Sequence, residues 1–550
     1  MTIRPRMDQK PRPLHYFVPG QVVLHVTRSA GASDAEIIEQ VGKQVSDAQR
    51  GVEVPGEFVP RFSTASKRIV SQSVVGDGAR RATVVVDLGY GKKPEDIAAL
   101  VADVNRLEKT FNTGAKLSAL AAGTAAQIDS VSLNWLMSGA QGAGGTTGGP
   151  GAHPVPVSGP AQPYSETLNG DFPRVDWADL VANSASPGEV NVVVLDTAPP
   201  LSLLSARFDE LVLQQLPGGN PHPVLHRLLG ASKQFNTSLS PDGNFLTVRG
   251  NNLPDANVTF QVSYNLAKDS DGRLIMETLL NHQSNFEIEN HAYLMSDHGL
   301  FVAGQIARLV QATDARVKVN IHLVQVLGDY GVGTIETLQQ GMNWALDSAA
   351  TGRPLVINNS LMVNVPRDKG HLFSFDGTEL DLPTIQTITS MVAGSMAILE
   401  ADYVAASSDA RFNEVNIVAA AGNDSLPMLP PVRARFPAAF DSVMGVGAIN
   451  PDGKPAPYSN EPDNPTTAGA VAYGGEAKAT ADGWVATDTG GLIGVYLGEF
   501  PTPGGMVPSV NGWGAWAGTS FAAPRVAAAL AILRSTGMTA AAAAAAVAAI

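Results

Sequence analysis

The sequence predicts an α/β protein. Its main part is a doubly wound, mostly parallel sheet with helices on both faces, preceded by a small α+β domain of order βαββαβ. Three observations predict this. Four short apolar runs, at 191–196, 318–327, 354–361 and 415–422, are continuous rather than alternating, as in parallel strands covered on both faces. Helical patterns fall between them, which is the alternation of a doubly wound sheet. The stretch SGAQGAGGTTGGPGAHPVPVSGPAQP at 138–163 contains no Asp, Glu, Lys or Arg, and it reads as a linker between two folding units. The expected division is 14–137, then the linker 138–163, then 164–550.

In the first unit, GQVVLHVTR (20–28) reads as a strand. SDAEIIEQVGKQVSDAQR (33–50) has a Ser N-cap, early acids and helical apolar spacing. SKRIVSQSVV (66–75) and RRATVVVDLG (80–89) read as two strands around a Gly-Asp-Gly turn. KPEDIAALVADVNRLEKTF (93–111) reads as a second helix, and IDSVSLNWLM (128–137) as a last strand. The order is that of a split-βαβ sandwich. In the second unit the strands are NVVVLD, KVNIHLVQVL, PLVINNSL and VNIVAAAG. The helices are expected at 299–311, 334–349 and 384–407.

The 550 residues and 57.3 kDa allow one large domain with one or two smaller ones. Hydrophobic residues are 44% of the chain, enough for a core, so wholesale disorder is excluded. A net charge of −14 and a pI near 5.2 argue against a nucleic-acid partner. There are no Cys, which removes disulfides, thiolate metal sites and Cys nucleophiles. The basic start MTIRPRMDQKPRPLHYF is not followed by an apolar core of about 7–15 residues, as a signal peptide would require. No segment reaches about 18 uninterrupted apolar residues. A cytoplasmic protein without membrane contact is the expectation, with export by a route needing no signal peptide left open.

Four motifs carry chemistry. VVVLDTAPP puts Asp196 at the carboxyl end of a buried strand, the edge where open parallel sheets place their sites. SDHGLFVAGQIA puts His298 at the entry of an apolar helix. NIVAAAGND ends a strand with Gly422 and Asn423, whose amide can donate into a cleft. WAGTSFAAPRVAAALAIL leads Gly518, Thr519 and Ser520 into an Ala-rich helix with Pro524 one turn in. Each alone is an ordinary turn Asp, helix-entry His, turn Asn or Ser N-cap. A Ser at a helix N-terminus gains from the helix-end amides if it is a nucleophile.

Taken together, Asp196, His298, Asn423 and Ser520 stand in the order of the subtilisin-like serine proteases, and the chain resembles that subtilase family over about 170–540. LVQVLGDYGVGTIETLQQGMNWA, VINNSL and ARFPAAFDSVMGVGAINPDGKPAPYSN are similar to the family's intermediate core stretches. The resemblance implies a serine endopeptidase with the triad Asp196, His298 and Ser520 and an oxyanion hole at Asn423. It implies a substrate strand at Ser360, Leu361 and Met362, and a pocket wall at Ala420, Ala421 and Gly422. Protein or peptide substrates follow, with no cofactor for the chemistry. Structural Ca²⁺ is frequent in the family, but no ligands in this chain can be assigned to it. The βαββαβ unit, with YFVPGQVVLHV at its start and VSLNW near its end, resembles the family's inhibitor propeptide. That implies a zymogen in which the chain's own N-terminal domain is an autoprocessed or latching inhibitor.

Several residues depart from the family pattern. Ala198 stands where Gly is common in the Asp motif, Leu300 and Phe301 replace Thr-His, Arg525 stands where His is frequent, and Met362 replaces Gly, narrowing the expected cleft. Asp196 and His298 are about 100 residues apart, which marks 201–290 as an insertion; within it, FLTVRGNNLPDANVTFQVSYNL reads as a strand pair. The alternatives are a catalytically inactive subtilase-like scaffold, an esterase on another α/β fold and a relative that lacks the His. The absence of a G-x-S-x-G elbow speaks against the second, and His298 against the third.

Overall fold

The computed structural model describes residues 16–548 apart from 30, 51–60, 64, 75–79, 91–92, 112–124, 140–152, 160–167, 183–186, 214–220, 232–234, 251–256, 280–294, 314–315, 364, 366–373, 376–377, 413–414, 426–429, 464–467, 481–482 and 503–504. The first described elements are β1 (Phe17–Arg28), α1 (Asp34–Arg50), β2 (Ser66–Val74), β3 (Arg80–Asp87), α2 (Pro94–Phe111) and β4 (Ala126–Gly139). Alternation along β1 sorts its side chains to two faces. Val22, Leu24 and Val26 join Val84 and Val86 of β3 in a core with Ile37, Val41 and Val45 of α1 and Ile97, Leu100 and Val104 of α2. His25, one step out of phase, lies opposite Thr83 and points the other way. This sheet therefore has one apolar and one polar face.

The second part contributes β5 (Glu189–Asp196), β6 (Asn236–Leu239), β7 (Phe245–Arg249), β8 (Val258–Asn265), α3 (His298–Thr313), β9 (Lys318–Gln325), β10 (Val332–Thr334), α4 (Ile335–Ser348), β11 (Leu355–Asn359) and β12 (Leu361–Val363). These are followed by α5 (Leu382–Ser407), β13 (Val415–Ala420), β14 (Met444–Ile449), β15 (Ala470–Tyr473), β16 (Leu492–Val495), β17 (Glu499–Thr502), β18 (Gly505–Pro508), β19 (Trp513–Trp516) and α6 (Thr519–Ser535). Nine of these strands form one sheet of order β15-β14-β13-β11-β5-β9-β8-β7-β6. All neighbours from β15 to β8 are parallel, and β7 and β6 close the far edge antiparallel. Both faces are covered. Val190, Val192 and Val194 of β5 lie in a core with Phe301 and Ile306 of α3 and Val526 of α6. Val193 and Leu195 lie in the other, with Leu338 and Met342 of α4 and Met391 and Leu399 of α5. A strand with no polar face must be an uninterrupted apolar run, and each fully buried Val or Leu contributes about 1.5–3 kcal/mol.

Two expected boundaries differ from what is observed. Ser138 and Gly139 belong to β4 rather than to a linker, and Val155–Pro156 pairs antiparallel with β19. Backbone donors and acceptors waiting on neighbouring strands draw even Gly and Pro segments into pairing, against their weak propensity. Residues 140–152 and 160–163 of the expected linker lie outside the described residues. Within the 201–290 segment, β6, β7 and β8 build one edge of the central sheet. Residues 280–290 of that segment lie outside the described set.

Among the described residues, one helix, within Leu382–Phe412, is long and apolar enough by length and composition to cross a membrane. Here Ile385, Ile388, Met391, Met396, Leu399 and Tyr403 are all buried in the second core, so packing accounts for its apolar side.

Candidate active site

Asp196 is the last residue of β5, and His298 is the first of α3. The helix start sits directly on the strand end. A Cβ on Gly299 would lie 2.2 Å from the Thr197 carbonyl and 2.9 Å from the Asp196 Cβ, so only glycine permits this approach. His298 Nδ1 bonds Asp196 Oδ1 at 2.7 Å, and both side chains are fully buried. The Thr197 N–H donates to the same oxygen at 2.7 Å, and the Thr197 hydroxyl accepts from the Gly299 N–H at 3.1 Å. Trp516 stands edge-on to the imidazole at 5.3 Å and Phe521 lies tilted to it at 5.2 Å, which restricts ring rotation. Among the described residues His298 Nε2 has no hydrogen-bond partner.

Ser520 is in the first turn of α6. Pro524 has no N–H with which to bond the Ser520 carbonyl four residues back. That carbonyl instead accepts from the Ser360 hydroxyl at 2.8 Å, which ties the helix start to the residue between β11 and β12. The Ser520 hydroxyl donates to the Ser360 carbonyl at 3.4 Å. The structure thus brings Asp196 onto His298 and Ser520 onto Ser360, but forms no hydrogen bond from Ser520 to His298.

Asn423 follows β13 and is 1% exposed. Its Oδ1 accepts from the Thr519 N–H at 2.9 Å and the Thr519 hydroxyl at 3.1 Å. The same hydroxyl accepts from the Gly422 N–H at 3.1 Å. Thr519 therefore holds the Asn423 amide, with its Nδ2 beside Gly518, two residues before Ser520. Asp424, the next residue, is clamped by the Arg435 guanidinium and by Asn460 Nδ2. Ala420 and Ala421 are fully buried at the end of β13, and Gly422 holds a φ of +110°.

The groove beside Ser360 contains the end of β4. Leu361, Met362 and Val363 pair antiparallel with Gly139, Ser138 and Met137. On the other side Val332, Gly333 and Thr334 pair with Ser138, Met137 and Leu136. β4 is thus the middle strand of three. Met362 is fully buried. Two departures noted in the sequence have partners: Phe301 packs at 4.8 Å from Phe521, and Arg525 forms a fully buried ion pair with Asp171.

Sequence reasoning missed Thr519 and the Trp516–Phe521 cage. Thr519 was visible as the residue between Gly518 and the Ser, but its role depends on Asn423, 96 positions away. Among the described residues no group of three or more His, Asp or Glu could hold a metal ion.

The sequence matches the subtilase family, peptidase family S8, over residues 275–549, half of its 550 residues. The chain belongs to that family of serine proteases. The matched segment contains His298, Asn423 and Ser520; Asp196 lies upstream of it and is joined to it by the β5–β9 pairing. No curated protein matches the chain. Solved structures similar to it include an epidermin leader peptide processing serine protease from Staphylococcus aureus, at 12% identity, covering 93% of this chain and 88% of that one, with a TM-score of 0.36. The nisin leader peptidase NisP from Lactococcus lactis is 19% identical, with 69% and 86% covered and a TM-score of 0.32. A lanthipeptide protease is 16% identical, with 67% and 79% covered and a TM-score of 0.34.

Proposed function

We propose that the chain is a serine endopeptidase whose reaction is acyl transfer through Ser520, His298 and Asp196. The observation that carries the reading is the buried 2.7 Å contact between Asp196 and His298, residues 102 positions apart, next to a Ser-bearing helix start. Ser520 Oγ exchanges its weak bond to the Ser360 carbonyl for one to His298 Nε2, a side-chain rotation. It then attacks the scissile carbonyl while His298 takes its proton and later returns it to the leaving amine. Asp196 fixes the imidazole tautomer and stabilises the imidazolium. The Asn423 amide and the Ser520 N–H stabilise the oxyanion. Substrate pairs as an extended strand with 360–362, in β-augmentation.

The N-terminal unit is then an intramolecular inhibitor, with β4 in the place of substrate. Its pairing with β12 runs up to Gly139 opposite Leu361, adjacent to Ser360 and Ser520. Self-cleavage is expected just past Gly139. Tethering gives such an inhibitor an effective concentration up to the mM range, which cutting removes. The test is mass spectrometry and casein turnover of the wild type against Ser520→Ala. Self-cleavage and turnover that require Ser520 support the reading. Equal behaviour of the two proteins overturns it and favours an inactive scaffold.

A further inference from the structure

Asp297 immediately precedes His298 and takes no part in the mechanism above. Its side chain does not cap its own helix but reaches across to the connection between β16 and β17. There Oδ2 accepts from the Leu497 N–H at 3.0 Å and the Gly498 N–H at 2.5 Å. The approach is so close that a Cβ on Gly498 would lie 2.8 Å from Oδ2. Asp297 is 2% exposed, and among the described residues its Oδ1 has no hydrogen-bond partner. A buried carboxylate with one unpaired oxygen is costly and needs a reason to persist. Burial pushes its pKa up to about 6, against the two N–H bonds and Arg207, while Asp329 adds to the rise.

The connection it grips is not peripheral. Tyr496, just before Leu497, stands edge-on to Trp516 at 5.7 Å, and Trp516 in turn stands edge-on to His298. The Ser509 N–H bonds the Gly498 carbonyl, and Arg207 bonds the Ser509 carbonyl, so the far side of the connection is anchored too. The start of α3 is therefore held from two sides: by Asp196 through the imidazole and by the 496–498 connection through Asp297.

We propose that Asp297 is a positioning residue for His298, fixing the imidazole against Asp196 and its aromatic cage by clamping the start of α3 to the Leu497 and Gly498 amides. This rests on the reading of His298 as the general base. An angular or sub-ångström slip of a base costs turnover far more than binding, by up to about 100-fold.

The experiment compares Asp297→Ala, Asp297→Asn and Gly498→Ala with the wild type and Ser520→Ala in peptide hydrolysis. Folded, competent sites are counted in each by a fluorophosphonate label on the active serine. Asp297→Ala and Gly498→Ala should each lower kcat by about 10- to 100-fold per labelled site with KM within about 2-fold. Asp297→Asn keeps an acceptor for both N–H groups and should recover most of kcat. Full kcat in Asp297→Ala overturns the proposal. So does a kcat loss that Asp297→Asn does not recover. Wild-type turnover that survives Ser520→Ala overturns the protease reading itself, which separates the two failures.

Discussion

The N-terminal sheet buries one apolar face against its own helices and turns the other, polar face to the rest of the chain, whereas the nine-stranded sheet is apolar on both faces. On the polar face Arg68 bonds both oxygens of Glu336 at 3.0 and 2.8 Å, and Asn134 adds a third contact at 3.3 Å. Arg81 pairs with Asp402, which also accepts from Gln339, itself in contact with His25. Charged and amide groups recover their hydration when two surfaces part, while a Val-Leu interior does not. On the proposed reading, the unit with the polar face is the one that leaves. The central sheet is built around its own two apolar faces; the N-terminal unit is held by ion pairs, hydrogen bonds, two short strand pairings and an apolar cluster that it shares with α4 and α5.

The sharpest way to break this picture is to remove the chemistry. Ser520→Ala or His298→Ala should each lower kcat by about 10⁶, with the double variant little worse, and should leave the two units in one chain. N-terminal sequencing of the wild type should find a new end just past Gly139. Multiplying losses, or a fully active wild type that keeps Met1, would contradict it. Next in size, Asn423→Leu should cost about 10²–10³ in kcat with KM nearly constant, since the donor acts on charge that forms only in the transition state. A change confined to KM would place Asn423 on substrate instead.

The interface itself can be sharpened with the separate N-terminal domain added in trans to processed enzyme. Arg68→Ala strands the buried Glu336 carboxylate and should weaken inhibition by about 30-fold, equivalent to about 2 kcal/mol. An unchanged inhibition constant would show that the polar face does not set affinity. The smallest effect is pH. Burial holds His25 below the ordinary histidine value, with Asp402 opposing and Arg81 adding to the depression. Gln339, Asp347, Asp409 and Arg411 complete the cavity it faces. The released domain therefore binds a proton that the docked domain refuses, so docking is strongest above about pH 6.5 and weakens as pH falls through that value. Inhibition in trans should loosen several-fold between pH 7.5 and 5.5, and His25→Asn should abolish that slope.

Much of this was legible because the signals are local. An uninterrupted apolar run must be covered on both faces, so NVVVLD and VNIVAAAG announced buried parallel strands, and a polar residue at the end of such a run stood out. Asp196, His298, Asn423 and Ser520 were each ordinary element-end residues taken singly; their order, resembling that of the subtilases, is what singled them out. Charge, composition and missing Cys narrowed the chemistry before any element was placed.

Tertiary structure alone decided the rest, because the partners are distant in sequence. The 268 positions between Arg68 and Glu336 carry no spacing rule, and neither do the 200 between Asp297 and Leu497. Nothing local says that Ser138 and Gly139 lie between two strands, since a flexible Gly segment pairs only when both neighbours offer backbone groups. Nor does a Pro four residues after a Ser reveal which donor takes the freed carbonyl. Local periodicity determines which element forms and which face it buries; which two surfaces meet depends on shape and polarity summed over the whole chain.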